Sequence, residues 1–72
     1  MEYLVLFEKA NDGTIWARIP DLPGCTSCGD NIEEARENIK EAIEIHIESM
    51  KAEGLAFPDT QHLQAELFEI SA

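Results

Sequence analysis

The chain has 72 residues, of which 44% are hydrophobic, and its 15 acidic residues against five basic ones give a formal net charge of −10. A chain of this length holds a single domain, residues 1–72, whose core supplies only about 3–5 kcal/mol, so we expect oligomerisation to add stability. The charge disfavours direct binding to nucleic acid or anionic lipid, because both need clustered Lys and Arg, and it favours association with a basic protein.

The first part of the chain predicts an antiparallel sheet. Tyr3–Phe7 is a β-prone apolar run, which indicates a strand. Thr14–Ile19 indicates a second strand, because Ile15, Ala17 and Ile19 alternate with Trp16 and Arg18. Between them, Ala10–Gly13 has the residues of a hairpin loop. The prolines of Pro20–Gly24 lack amide hydrogens and indicate a stiff turn. Cys25–Gly29 is then predicted to be a short third strand.

A long amphipathic helix is predicted from Ile32 to Glu53. Asn31, with Glu34 three residues later, has the pattern of a capping box, and Gly54 suits the left-handed residue that follows a helix. Helical spacing separates an apolar face from an acidic one. The apolar face contains Ile32, Ala35, Ile39, Ala42, Ile43, His46, Ile47 and Met50. The acidic face contains Glu34, Glu37, Glu41, Glu44 and Glu48.

The C-terminal part has no single interpretation from its pattern. Leu55–Thr60 is predicted to be an irregular link. In Leu63–Ile70, the leucines and the isoleucine fit one face of a helix, whereas the alternation of Phe68 and Ile70 is typical of a strand. Both alternatives stay open on the pattern alone.

No catalytic, cofactor or metal site is predicted, and we expect no enzymatic activity. Cys25 and Cys28 lie three positions apart in a strand, so their side chains face opposite sides of it. We therefore do not expect them to bind one metal ion together or to form a disulfide with each other. His46 lies on the apolar face of the helix and is predicted to be a packed residue. The helix glutamates are spread over a solvated face instead of surrounding a magnesium ion.

The N-terminal sequence predicts a cytoplasmic protein. The first eight residues lack the basic region and the long apolar stretch of a secretory signal. No run of about 18 apolar residues occurs, so no membrane span is expected.

Several short motifs together resemble the HicB-like antitoxin family. They are Pro-Asp-Leu-Pro-Gly-Cys at 20–25, Gly-Asp at 29–30, Glu-Glu-Ala at 33–35 and Glu-Ala-Ile at 41–43. The resemblance covers about residues 1–58. It implies an α+β domain with the order β-β-β-α-β, in which one long helix packs on one face of an antiparallel sheet, similar to a truncated ribonuclease H-like fold. It also favours the strand alternative for Leu63–Ile70.

The resemblance further implies an antitoxin of a type II toxin–antitoxin system, whose partner is a basic, RNA-cleaving toxin of HicA type. We expect the partner-binding residues on the turn and on the acidic helix face: Asp21, Leu22, Pro23, Glu37, Glu41, Glu44 and Glu48. A structural role for the turn, as a rigid corner in which Asp21 caps backbone amides, stays open.

A DNA-binding role is not expected from the resemblance. Many family members carry a C-terminal DNA-binding module, but nothing basic follows Lys51 in this sequence. The alternative function is an orphan homo-oligomeric module that binds a small ligand or an unrelated protein and is no longer paired with a toxin.

Overall fold

The computed structural model describes residues 2–57 and 61–71, in which three antiparallel strands carry one long helix on a single face. The elements are β1 (Leu6–Lys9), β2 (Ile15–Arg18), β3 (Thr26–Gly29) and α1 (Ile32–Glu53). The sheet order is β1-β2-β3, so each strand pairs with its neighbour in sequence. The predicted α+β class, with an antiparallel sheet and one long helix, is confirmed.

The hairpin between β1 and β2 forms as its loop chemistry predicts. The Ala10 amide donates to the Thr14 carbonyl at 2.8 Å, and the Gly13 amide donates to the Ala10 carbonyl at 3.0 Å. Gly13 has a φ of +91°, which the absence of a side chain permits. The Thr14 amide donates to Asp12 at 2.9 Å, and this bond lowers the pKa of the Asp12 carboxyl.

β1 lies further along the chain than predicted. The sequence predicted Tyr3–Phe7, whereas the strand spans Leu6–Lys9. The reason lies in its partner, because β2 ends at Arg18, opposite Leu6, where the chain enters the Pro20–Gly24 turn. Residues 3–5 therefore extend beyond β2, and the Tyr3 and Val5 side chains pack against the core.

The helix has the bounds predicted from its capping residues. Asn31 is extended and accepts a hydrogen bond from the Glu34 amide at 2.8 Å, while Glu34 in turn contacts the Asp30 amide at 3.4 Å. Gly54 ends the helix with a φ of +70°, and its amide donates to the Lys51 carbonyl at 3.1 Å. No helix in the described parts of the chain is long and apolar enough to cross a membrane.

The core lies between the sheet and the first half of α1. Its buried members are Ala17, Ile19, Leu22, Cys25, Ala35 and Ile39. Partly buried side chains surround them: Tyr3, Val5, Ile15, Ala42, Ile43 and Met50. Apart from Leu22 and Cys25, which belong to the turn, the buried residues follow the alternation of the strands and the apolar face of the helix.

The strand expected at Leu63–Ile70 is not formed. Residues 61–71 contain neither strand nor helix, and their large apolar side chains are exposed. A strand needs the backbone of a neighbour to pair with, and in this single chain the segment lies on neither edge of the sheet. Residues 58–60, within the predicted irregular link, lie outside the described residues.

Candidate functional site

Two successive reverse turns form the corner between β2 and β3. The Leu22 amide donates to the Ile19 carbonyl, and the Cys25 amide donates to the Leu22 carbonyl, both at 3.0 Å. The Ile19 amide closes the loop on the Cys25 carbonyl at 3.3 Å. Gly24 permits the second turn with a φ of +84°. The predicted turn is confirmed, and three backbone hydrogen bonds hold it together.

The structure separates the three residues expected to bind a partner on this turn. Pro23 is exposed at the tip. Leu22 is 1% exposed and packs in the core, so its side chain anchors the turn and is not available to a partner. The sequence interpretation misplaced Leu22 because an apolar residue between two prolines has no periodicity that reveals its burial.

Asp21 is held by a residue from the far end of the chain. Its Oδ2 atom lies 2.6 Å from Nε2 of His62, and the two side chains are 16% and 31% exposed respectively. The carboxylate therefore binds an imidazole, and no backbone amide of residues 2–57 or 61–71 donates to it, in contrast to the capping role considered in the sequence analysis. The two residues are separated by 41 positions, so no local pattern could have predicted the pair.

The outer face of α1 presents a row of carboxylates, which we term the acidic stripe: Glu37, Glu41, Glu44 and Glu48. All four side chains are exposed and lie on one side of the helix, since residues three and four apart are neighbours there. Within residues 2–57 and 61–71 none of them takes part in a salt bridge. No three His, Cys, Asp or Glu side chains in those ranges are placed to hold a metal ion. The stripe is thus a solvated negative surface.

A groove connects the turn with the second half of the helix. It has a volume of about 340 Å³ and is lined by Gly24 and Thr26 on one side and by Ile45, His46 and Ser49 on the other. Ile45 is an apolar residue beside the glutamates of the stripe, and its side chain is 68% exposed. The structure therefore places an apolar groove between Pro23 at the tip of the turn and the acidic stripe.

The outer face of the sheet carries residues that the sequence analysis did not assign to any surface. Trp16 is 46% exposed there and lies opposite Glu8 on β1 and Cys28 on β3. Arg18 donates to Glu8 at 2.7 Å on the same face. The alternation of β2 between Trp16 and the buried Ala17 was the available signal, because successive residues of a strand point to opposite faces.

The two cysteines differ in environment, and we predict that they differ in reactivity. Both are free thiols; Cys25 is 3% exposed in the core, and burial raises the pKa of its thiol. Cys28 lies half-buried on the outer face. Because the thiolate is the nucleophile, iodoacetamide should alkylate Cys28 first, as peptide mass spectrometry can measure. Equal labelling of both cysteines in the native protein contradicts this arrangement.

The raised pKa of Cys25 also gives a pH dependence with a definite sign. The folded protein holds the thiol proton more tightly than the unfolded chain does. This contribution to stability is complete below the ordinary pKa of a thiol and is lost as the pH rises through the raised value. Fast alkylation of Cys25 is therefore expected only at alkaline pH or in denaturant.

Comparisons with known proteins agree with the motifs in the turn and the helix. A family model described as the HicB_like antitoxin of bacterial toxin-antitoxin systems matches residues 3–69. An uncharacterized 14.9 kDa protein from the rep-hol intergenic region of Haemophilus phage HP1 is 42% identical over 64 residues, which cover 89% of this chain and 47% of the phage protein. The chain thus spans about half the length of that relative.

Other relatives match over more of their length. A UPF0150 protein of Synechocystis sp. is 54% identical over 56 residues, which cover 78% of this chain and 71% of the relative. A UPF0150 protein of Thermoplasma acidophilum is 43% identical over 58 residues, covering 81% and 84% respectively. No solved structure matches, so the comparison with ribonuclease H-like folds stays a prediction. The family model and these relatives establish that the chain belongs to the HicB-like antitoxin family.

Proposed function

We propose that this protein is a non-catalytic antitoxin of a type II system that neutralises a basic, RNA-cleaving toxin of HicA type by binding it. Family membership supports the antitoxin role. The observation that carries the choice of partner is the acidic stripe, whose four carboxylates face solvent without salt bridges in the described chain. A toxin that binds the phosphates of RNA needs a basic surface. That surface is opposite in charge to the stripe.

The stripe and the groove contribute to binding in different ways. A surface of one charge sign raises the rate of encounter with an oppositely charged partner by about 10-fold to 1000-fold. Binding then needs apolar area at the centre of the contact, which charges alone do not provide. Ile45 and the adjoining groove supply that area between the stripe and Pro23. We therefore propose this helix face and the tip of the turn as the toxin-binding surface.

Neutralisation of this kind needs no chemistry from the antitoxin. Covering the RNA-binding surface of the toxin keeps RNA away from the catalytic residue. The carboxylates of the stripe compete with the phosphates of RNA for the same basic side chains of the toxin. The protein acts in the cytoplasm under this proposal, because messenger RNA is the substrate of the toxin. No nucleic acid, cofactor or metal is required.

Co-expression with a candidate toxin, namely a short, basic protein encoded by a neighbouring reading frame, tests the proposal. We expect the wild-type chain to restore growth that the toxin arrests. A variant in which the four residues of the acidic stripe become Gln should rescue growth poorly. The matched control replaces four other exposed carboxylates by the corresponding amides and should rescue like wild type: Glu2, Asp30, Glu33 and Glu53. The two variants have the same net charge, so their difference reports the position of the charge.

The alternative of an orphan homo-oligomeric module predicts another result. In that case the neighbouring frame is not toxic, or its toxicity is unaffected by this protein. Either outcome contradicts the proposed function. Equal rescue by the stripe variant and its control contradicts the proposed surface while leaving the antitoxin role intact.

A further inference from the structure

The segment Leu63–Ile70, which we term the arm, exposes more apolar surface than any other part of the described chain. The exposed fractions are 89% for Leu63, 102% for Leu67, 78% for Phe68 and 82% for Ile70. In residues 2–57 the highest value for a large apolar residue is 68%, at Ile45. Single exposed apolar residues are ordinary, but four within eight positions indicate an interaction surface that lacks its partner.

The arm has the composition of a strand with two apolar faces. In an extended chain Phe68 and Ile70 lie on one face, and Leu63 and Leu67 lie on the other. Such a strand is suited to a position beside another strand, where apolar groups of the existing sheet adjoin it on both faces.

The sheet has one edge that could accept such a strand. At the β3 edge one backbone acceptor is already occupied, because Nδ2 of Asn38 on α1 donates to the Cys28 carbonyl at 2.8 Å, and α1 packs more closely on β3 than on the other strands. The helix packs over β3 and β2 but not to a comparable extent over β1. Phe7 on β1 is accordingly still 37% exposed, with the Arg36 guanidinium 5.8 Å from its ring centroid. Open edges of this kind are the natural sites of strand addition.

The base of the arm lies close to the start of β1. Gln61 and His62 line a cleft of about 430 Å³ together with residues 2–4. The contact of His62 with Asp21 fixes this position. From there the arm does not fold back along β1, since the sheet contains only three strands within the described residues.

We propose that the arm of each chain pairs as a fourth strand with the open β1 edge of a second copy, which gives an arm-exchanged dimer with twofold symmetry. Each copy has one open edge and one unpaired arm, so a reciprocal exchange satisfies both and closes the assembly. The added strand covers Phe7 on one face and adjoins Leu6 on the other.

Sedimentation velocity tests this dimer without risk to the fold, because the apolar side chains of the arm are exposed in the single chain. We expect the wild-type protein to sediment with the mass of two chains. The double variant Leu67→Asp and Phe68→Asp should sediment with the mass of one chain, a twofold decrease, with an unchanged circular dichroism spectrum from the helix. The control Ile45→Asp, at an exposed apolar site away from the arm, should remain a dimer.

A mixed sample of isotope-labelled and unlabelled chains distinguishes exchange from other arrangements. We expect nuclear Overhauser contacts between Phe68 of one chain and residues of β1 in the other. The proposal is overturned if the wild type is a monomer at every concentration, if the double variant remains a dimer, or if arm contacts with β1 occur only within one chain. These experiments contain no toxin, so their outcome is independent of the proposed function.

Discussion

Leu22→Ala is expected to leave a large fraction of the protein unfolded at room temperature. Leu22 is 1% exposed and has the largest volume, together with Ile39, among the fully buried side chains. Truncating a buried Leu to Ala costs about 2.7–5 kcal/mol, because apolar contacts are lost and a cavity remains. A core of this size supplies about 3–5 kcal/mol in total. The substitution therefore removes most of the stability, and it also releases the turn that carries Asp21 and Pro23.

Urea titration followed by circular dichroism at one fixed chain concentration measures this effect. The control is Leu55→Ala, because Leu55 is 51% exposed after the end of the helix and a surface substitution changes stability by only about 0.5 kcal/mol. A Leu22→Ala variant with a wild-type midpoint would contradict the placement of Leu22 in the core.

Gly29→Ala is expected to be strongly destabilising for a steric reason. A Cβ atom at position 29 would lie 2.6 Å from the backbone nitrogen of Ala35 and 2.9 Å from Cβ of Glu34. The first turn of α1 thus rests directly on β3, and a backbone atom cannot move aside as the end of a flexible side chain can. Overpacking of this kind costs about 1–3 kcal/mol, and we expect the upper part of that range, with Gly29→Val worse than Gly29→Ala.

The matched control for Gly29 is Gly54→Asn. Gly54 has a φ of +70° and open space around its Cβ position, and Asn tolerates the left-handed conformation well. Its unfolding midpoint should stay near that of the wild type. If Gly29→Ala has a wild-type midpoint in the same titration, the close packing of α1 on β3 is incorrect.

The helix could be predicted to its terminal residues because its signals are local. Asn31 and Gly54 mark its ends, and the apolar spacing between them fixes which face meets the sheet. The hairpin loop is equally local. The bounds of β1 could not be predicted, because they depend on where β2 ends and not on the apolar run itself.

For the candidate site residues, exposure could be predicted where it follows from periodicity, and it was missed where it depends on distant contacts. The exposed positions of the acidic stripe follow from the helical pattern. The burial of Leu22 and the pairing of Asp21 with His62 depend on how the turn and the C-terminal segment meet in space. The arm has a strand pattern, but pairing is a property of two backbones, so the pattern alone could not place it.

The association rate of the purified chain with the purified toxin, measured over a range of salt concentrations, tests the central claim most directly. We predict fast association at low salt that slows steeply as salt rises, because opposite charges steer the encounter. The variant with Gln at all four positions of the acidic stripe should associate about 10-fold more slowly than the control variant of equal net charge. No detectable binding of the wild-type chain at low salt, or the same rate and salt dependence for both variants, would contradict an antitoxin that uses its helix face to capture a basic toxin.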